Sequence, residues 1–258
     1  MRRDPEPERP IALPGAFKLD QRPPHPALVA EPVAASGQPY LSTDSATAGT
    51  DLFDLVDWRR RVGDLYRLRG PDALQRFRDG RDALFRQHPQ SPIAAAARSR
   101  FPGLSYFDVD TSYRVTARLR PPAPDDPGLE IDTGGEDGVI LYRRAGTLAF
   151  SLRGTACELT VFSLVGYGGG LFAPFRDLTA GSETYGGGRY LFDTVKNTDG
   201  LCLEYTPGAD DVVIDFNYAY NASCAYDFRW ACPLAPRENW LQLEVRAGER
   251  RFEPAGAG

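Results

Sequence analysis

The sequence predicts a mainly β fold of the α+β type, either an antiparallel sandwich or a partly open barrel of about eight strands with two N-terminal helices packed on it. Two observations lead to this prediction. Apolar residues recur with helical spacing between residues 51 and 88. From residue 100 onward the spacing changes to two, the period of a half-buried strand. Because no helical segment separates the later strands, an antiparallel sheet is favoured over a parallel α/β architecture.

The helical region is divided by Gly70-Pro71, which ends one helix and begins the next. The second helix stops before Pro89. Each helix has an apolar stripe, made of Leu52, Leu55, Val56, Val62, Leu65 and Tyr66 in the first and of Leu74, Phe77, Leu84 and Phe85 in the second. Residues 51–88 also contain nine arginines and seven aspartates, which we interpret as a solvated helix surface.

Eight strands are predicted after the helices, beginning with the alternating pattern of Tyr113–Leu119. The segment 121–136 is expected to be rich in turns, and Gly146 and Gly154 mark short turns between antiparallel neighbours. The other predicted strands are Val139–Tyr142, Leu148–Leu152, Glu158–Val165, Arg189–Phe192, Leu201–Tyr205, Val212–Asn217 and Trp240–Arg246.

Composition indicates one folded region with flanking tails. Residues 1–49 are rich in proline, alanine and charge and are expected to form a disordered tail. A single β-rich domain is predicted over 50–252, including the helical pair of 50–89, followed by a short tail over 253–258. The formal charge of -5 argues against nucleic-acid binding.

Membrane and export signals are missing from the sequence pattern. No run of about 18 apolar residues suits a membrane span. Acidic residues occupy the N-terminal region where a secretory signal needs an apolar core, so we expect a cytoplasmic protein with four free cysteine thiols.

Two histidines limit the chemistry. His25 falls in the predicted tail and His88 is expected at the surface, so a histidine-based triad or metal site is not indicated. The glycine-rich runs 166–170 and 186–188 lack the lysine of a P-loop, and Pro174 follows the first too closely for a dinucleotide fingerprint.

Polar residues and tyrosines concentrate in Phe172–Tyr190 and Asp215–Asn239. Four of these tyrosines, Tyr185, Tyr190, Tyr220 and Tyr226, are candidates for the amphipathic walls of a binding site. Asp215 and Asn217 would share one face of a strand, and Tyr220 and Asn221 follow in an irregular loop.

These segments resemble a bacterial and archaeal family catalogued as domain of unknown function 1684. The resemblance is carried by Phe172–Tyr190, by Asp-Phe-Asn-x-Ala-Tyr-Asn at 215–221, by Cys-Pro-Leu-x-Pro-x-Glu-Asn at 232–239 and by Ala-Gly-Glu at 247–249. Weaker similarity reaches back to Trp58, so about residues 52–250 are covered. The resemblance implies where the functional region lies and implies no reaction.

Two hypotheses about function follow from these residues. The first is binding of a small, acidic molecule, with Arg189 as the anion anchor and with Tyr185, Asn217, Tyr220, Asn221 and Asn239 as further ligand-binding residues. The alternative is a carboxylate-dependent hydrolase using Asp215 or Glu183 as general base, with metal assistance left open. A protein-interaction module is a third interpretation, and the sequence does not indicate an oligomeric state.

Each candidate residue also has a structural interpretation. Asp177 and Thr179 can cap a turn, and Glu183 and Arg189 can pair across a loop. Asp215 can accept backbone N–H groups of the 220–224 loop, and the three asparagines can satisfy buried backbone groups.

The cysteines Cys224 and Cys232 have three readings: small buried thiols, a redox or disulfide pair, or metal ligands together with Asp215. No cofactor is expected, while a divalent metal remains an open alternative.

Overall fold

The structure is a computed structural model that describes residues 48–133, 138–166 and 168–254. The predicted tail of 1–49 lies outside the described residues except for 48 and 49, which begin the first helix. Residues 255–258 of the second predicted tail also lie outside them. The domain boundaries therefore stay a prediction.

Two helices open the described chain, as predicted. The first, α1, spans Ala48–Leu65, and the second, α2, spans Ala73–Gln87. His88 is extended at the end of α2, as a residue before proline prefers. Both helices pack on the sheet, because Val62, Tyr66, Phe77 and Leu84 share one apolar core with residues from the strands. No helix in the described ranges is long and apolar enough to cross a membrane.

Nine strands of the described chain form one sheet, and all eight pairs of neighbouring strands are antiparallel. The strands are β1 Arg114–Arg120, β2 Leu129–Asp132, β3 Val139–Leu152, β4 Thr155–Leu164, β5 Leu171–Phe175, β6 Arg189–Asp193, β7 Leu203–Tyr205, β8 Asp211–Asp215 and β9 Tyr220–Asn221. Their order is β7-β8-β1-β3-β4-β5-β6-β9, with β2 paired to β3. The sheet is curled into a half-barrel, so the partly open barrel is confirmed and the sandwich is not formed.

Three local predictions are wrong. The turn expected at Gly146 is instead a β-bulge in the continuous strand β3, where a Cβ would lie only 2.8 Å from the Arg120 carbonyl oxygen. The segment 240–246 is not a strand, because Trp240 makes only an isolated bridge to Arg176. Strands β2, β5 and β9 were not expected from the pattern. The turn at Gly154 is confirmed, since Arg153 and Gly154 both have positive φ, as a tight hairpin requires.

Apolar residues cover both faces of the sheet around β4. Leu159 and Val161 belong to the larger core beneath the helices, whereas Phe162 and Leu164 belong to a second cluster. Successive residues of a strand point to opposite faces of the sheet. Because Val161 belongs to the larger core and Phe162 to the second cluster, the two clusters lie on opposite sides of the sheet. The second cluster also contains Tyr190 and Tyr220, which places two of the tyrosines highlighted by the sequence next to each other.

Candidate functional site

Asp215 ends strand β8, and the chain turns there into a short 3-10 helix over Phe216–Tyr218. The predicted strand to Asn217 therefore stops two residues early. The Asp215 carboxylate accepts the backbone N–H and the side-chain amide of Asn217, both at 2.9 Å. Asn217 also binds the backbone N–H and the carbonyl of Asp110. Within the described chain, the loop 220–224 donates no hydrogen bond to Asp215. The expectation that Asp215 holds this loop is therefore wrong, and its carboxylate binds Asn217 instead.

The buried carboxyl of Asp215 gives a testable pH dependence. Burial raises its pKa above the ordinary 3.8, although the hydrogen bonds from Asn217 act in the opposite direction. The native state then holds this proton to a higher pH than the unfolded chain does, so the free energy of unfolding falls as pH rises from about 3.8 through the raised native pKa. The asparagine of Asp215→Asn cannot ionise, so the free energy of unfolding of this variant should not show this decrease with rising pH. We expect the variant to be at least as stable as the wild type near pH 7.

Urea unfolding at about pH 3.5 and about pH 7 measures the effect. Asp211→Asn is the matched control, because it removes an exposed carboxylate from the other end of β8. An Asp215→Asn variant that is much less stable than the wild type near pH 7 would show that the charged carboxylate itself holds this corner together.

Glu183 and Arg189 do not pair with each other. The Glu183 carboxylate, which is half-buried, accepts a hydrogen bond from Arg246 at 2.9 Å and lies 4.0 Å from Arg250. Asp215 and Glu183 share no hydrogen-bond or ion-pair partner in the described part of the chain. The two residues proposed as general bases therefore belong to two separate groups of contacts.

Arg189 is fully buried beneath the C-terminal segment. Its Nη2 donates to Asp177 Oδ2 at 2.9 Å and to the Val245 carbonyl at 2.7 Å, and its Nη1 donates to the carbonyls of Ala247 and Glu249. Burial lowers the pKa of this guanidinium, and the Asp177 carboxylate opposes that shift. These internal acceptors favour the structural interpretation of Arg189; its role as an anion anchor stays a prediction.

Asp177 and the asparagines satisfy backbone groups that the irregular loops leave open. Asp177 Oδ1 accepts the N–H of Thr179 at 2.9 Å, which confirms the turn cap. Asn221 donates to the carbonyl of Arg250 at 2.7 Å, and its Oδ1 is buried without a donor. Asn239, which is fully buried, accepts the Thr160 N–H and donates to the Thr160 and Pro174 carbonyls. These contacts favour structural roles for Asn221 and Asn239.

His88 is buried, so its predicted surface position is wrong. Its Nδ1 accepts the backbone N–H of Gln90 at 3.1 Å, and its Nε2 lies 3.2 Å from the Asp57 carboxylate. The neutral ring therefore carries its proton on Nε2 and donates to Asp57. This arrangement connects α2 to α1. The other histidine, His25, lies outside the described residues.

A cavity of about 80 Å³ lies among α1, α2, the paired strands β6 and β9, and the segment that follows β9. Its walls include three of the four tyrosines that the sequence singled out, and two tryptophans. These aromatic residues are Tyr190, Tyr220, Tyr226, Trp58 and Trp230. Two of the phenol hydroxyls have hydrogen-bond partners: Tyr190 donates to the Pro233 carbonyl at 2.6 Å, and Tyr220 pairs at 2.8 Å with Thr198, which also lines the cavity. The aromatic rings therefore shape the cavity, together with the side chain of Asn221.

Three cationic side chains also line this cavity: Arg59 from α1, Arg81 from α2 and Lys196 beyond β6. Among the described residues, no aspartate or glutamate lines it. We call it the Arg59–Arg81–Lys196 cavity. Arg81 is buried, and its Nη2 donates to Glu249 at 3.0 Å. Burial disfavours the charged carboxylate of Glu249 and therefore raises its pKa. The ammonium of Lys196 lies 3.5 Å from Asp193 and 5.2 Å from the centre of the Tyr190 ring.

Sequence reasoning missed Arg81, although a signal for it was present. Arg81 lies four residues after Phe77 and four before Phe85, which places it inside the apolar stripe of α2 and not on the solvated face. A charged residue within an apolar stripe is expected to be buried with a partner. Tyr185, Asn217 and Asn239 were predicted to bind the ligand and do not line the cavity, whereas Tyr220 and Asn221 do.

Cys224 and Cys232 lie together, next to Tyr185. The Tyr185 hydroxyl donates to Cys224 Sγ at 3.5 Å, and Cys224 packs against the second apolar cluster, which contains Cys232. No group of three or more histidine, cysteine, aspartate or glutamate side chains that could hold a metal occurs among the described residues. The structure thus does not bring Asp215 together with the two cysteines as a set of metal ligands.

The comparisons with known proteins agree with this architecture. A solved structure with 36% sequence identity is the solution NMR structure of the uncharacterized protein from gene locus rrnAC0354 of Haloarcula marismortui. It matches with a TM-score of 0.51, over 77% of this chain and 96% of that one. No curated protein sequence matches. The family described as "Protein of unknown function (DUF1684)" matches residues 99–250, which is more than half of the chain and includes every predicted site residue. The chain therefore belongs to the DUF1684 family.

Proposed function

We propose that the protein binds a small anion, such as inorganic phosphate or a short carboxylate, in the Arg59–Arg81–Lys196 cavity. One observation carries this proposal: the residues of the described chain that line the cavity include three cationic side chains and no carboxylate, whereas the formal net charge of the whole chain is -5. An anion placed there would meet guanidinium and ammonium donors, which form the strongest hydrogen bonds to carboxylate and phosphate oxygens.

The size of the cavity supports a small ligand. Its volume of about 80 Å³ exceeds the roughly 10–15 Å³ that one water needs. It is well below the roughly 300–1,000 Å³ of pockets that hold drug-sized molecules. A phosphate-sized or acetate-sized group suits this volume, and the aromatic walls would exclude bulk water from it.

The cavity partly preserves the binding hypothesis drawn from the sequence and changes its anchor. Tyr220 and Asn221 remain in the proposal, while the anchoring charge passes from Arg189 to Arg81 and Lys196. We also infer a reducing compartment, such as the cytoplasm, because the four cysteines are free thiols.

Inorganic phosphate, sulfate and acetate, titrated separately, are the probes for this function. We expect saturable changes in tryptophan fluorescence, because Trp58 and Trp230 line the cavity. Lys196→Gln should weaken binding by about 5–10-fold, the effect of losing one charge-assisted contact of about 1–1.4 kcal/mol. The ranking of the three anions would name the ligand class.

Arg118→Gln is the control, since it removes one positive charge from an exposed ion pair on β1 and leaves the cavity intact. Equal weakening by both variants would mean that the anions respond to net charge alone. Absence of a saturable response to all three anions would refute the proposal.

A further inference from the structure

Glu249 lies behind the Arg59–Arg81–Lys196 cavity and binds three of the residues that line it. Its side chain is buried, and its Oε2 accepts Arg81 Nη2 at 3.0 Å and the backbone N–H of Asn221 at 3.1 Å. Its Oε1 accepts the hydroxyl of Tyr226. Arg81, Asn221 and Tyr226 belong to the lining, whereas Glu249 does not. The carboxylate therefore holds one wall of the cavity in position without contributing to its surface.

The guanidinium of Arg81 has donors left for a ligand. Its Nη2 donates to Glu249, and its Nε donates to the Tyr106 hydroxyl at 3.2 Å. Its Nη1 makes no hydrogen bond within the part of the chain that the structure describes. Aromatic rings surround the group, with its central carbon 5.0 Å from the centre of the Phe85 ring and 5.3 Å from that of Tyr220. An anion in the cavity can therefore accept from Nη1 of a guanidinium that is already bound to a carboxylate.

The charged groups around the cavity leave one positive charge uncompensated. The Arg81 guanidinium lies 3.0 Å from the Glu249 carboxylate, and the Lys196 ammonium lies 3.5 Å from that of Asp193. Arg59 has no carboxylate partner among the described residues and donates to a backbone carbonyl at 3.1 Å. With Glu249 ionised, the cavity thus matches an anion of one negative charge. With Glu249 protonated, it matches an anion of two.

We propose that Glu249 determines the charge of the anion that the cavity binds, and that a dianion binds there together with one proton, which Glu249 takes up. This inference rests on the proposed anion binding. A dianion at Arg81 places a second negative charge beside the guanidinium that compensates Glu249, and neighbouring like charges favour the neutral form of a carboxyl group. The proton comes from the solvent, an O–H bond forms on Glu249, and no bond of the anion breaks.

The surroundings of Glu249 favour this uptake. Burial raises the pKa of its carboxyl, and the charge of Arg81 is the largest effect in the opposite direction. An anion that shares Arg81 weakens that opposing effect, so the pKa of Glu249 rises further when the anion binds. The protonated form keeps its contacts, because the Tyr226 hydroxyl can accept from the new carboxyl O–H.

The other groups that face Glu249 do not titrate near neutral pH. They are guanidinium groups from α2 and β6 and two phenols, namely Arg81, Arg189, Tyr106 and Tyr226. Arginine and tyrosine keep their charge between about pH 5 and about pH 8. Histidine can change charge in this range, and the His88 ring lies 5.2 Å from the ring of Trp58, which lines the cavity. A substitution of Glu249 leaves His88 in place, so the variant separates the two groups.

Sulfate and nitrate are the probes, because they carry two charges and one charge throughout this range and neither takes up a proton itself. Isothermal titration calorimetry of the wild-type protein, in buffers that differ in ionisation enthalpy, counts the protons bound with each anion. We expect sulfate to bind with uptake approaching one proton. Its affinity should rise by up to about tenfold per pH unit as pH falls from the pKa of Glu249 in the complex to the lower pKa in the free protein. Nitrate should bind with little uptake.

Glu249→Gln imitates the protonated side chain. Its amide oxygen can still accept from Arg81 and Asn221, and its amide N–H can donate to Tyr226. We expect the variant to bind sulfate about tenfold more tightly than the wild type near pH 8 and to take up no proton. Glu244→Gln is the matched control, because it removes an exposed carboxylate from the same C-terminal segment. It should keep the proton uptake of the wild type.

The outcomes separate this inference from the proposed function. Sulfate binding to the wild type without proton uptake between about pH 5 and about pH 8 would overturn the role of Glu249 and leave anion binding intact. Equal proton uptake by Glu249→Gln and the wild type would do the same. If neither anion bound at any pH, the proposed function itself would be refuted, and the role of Glu249 with it. The proton count on the wild type needs no variant.

Discussion

Replacing Asp177 by asparagine is expected to lower the free energy of unfolding by about 3–5 kcal/mol. The substitution keeps the shape of the side chain, and Oδ1 can still accept the N–H groups of Thr179 and Val245. It removes the only carboxylate bound to Arg189 in the described part of the chain and leaves a fully buried guanidinium without a counter-charge. Unfolding in urea, followed by circular dichroism, measures the loss.

A double-mutant cycle with Arg189→Met shows whether the pair is the cause. Each single variant breaks the ion pair, whereas the double variant removes both charges, so its loss should be well below the sum of the single losses. Glu183→Gln breaks a partly exposed ion pair with Arg246 and should cost no more than about 1 kcal/mol. If Arg189→Met were stable and bound anions more weakly, Arg189 would instead be the anchor that its sequence context suggests.

Replacing Asn239 by alanine is expected to cost about 3–5 kcal/mol, because three buried backbone groups lose their partners at once. The ladder between β4 and β5 contains only the pairs Phe162–Phe172 and Ser163–Leu171. Beyond it the Asn239 amide bridges the two strands, with bonds of 2.9 and 2.8 Å to Thr160 and 2.7 Å to the Pro174 carbonyl. The side chain therefore replaces ladder hydrogen bonds where the strands diverge.

Thermal unfolding of Asn239→Ala tests this role against Gln242→Ala. Gln242 is exposed and donates one hydrogen bond to a nearby carbonyl, so its loss should change stability by no more than about 0.5 kcal/mol. Similar stability of the two variants would mean that water or a shifted backbone satisfies the groups around position 239.

The parts of the fold that depend on local pattern were predictable from the sequence. The two helices, the strand β1 and the hairpin at Gly154 follow from apolar spacing and turn residues. Strand β5 was not found, because Pro174 and the preceding glycines are typical of loops. A proline, which has no N–H to donate, is tolerated there because the pairing of β5 with β6 shifts register between Ala173 and Pro174, and Asn239 binds the proline carbonyl from a distant segment. Contacts between residues so distant in sequence leave no periodic signal.

The same limit explains the outcome for the candidate site. Arg189 belongs to a segment rich in tyrosine and polar residues, and a ligand anchor is a natural interpretation of such a position. Its acceptors come from Asp177 and from a segment 56 to 60 residues later, which local sequence cannot associate with it. Arg81 shows the opposite case, since its place in the apolar stripe of α2 was visible. It was grouped with eight other helix arginines that were interpreted as solvated surface.

The burial of Arg189 also bears on how the protein is made. Its two terminal nitrogens donate to the carbonyls of Val245, Ala247 and Glu249. While the ribosome is still synthesising the segment after β9, strand β6 has already been made. The Arg189 charge on that strand then still lacks the three carbonyls that accept its hydrogen bonds in the folded protein. Domains often fold as they leave the ribosome, N-terminal parts first. Here the carbonyls that accept hydrogen bonds from Arg189 exist only once residues 245–249 have been synthesised, so the core around β6 cannot be completed before then.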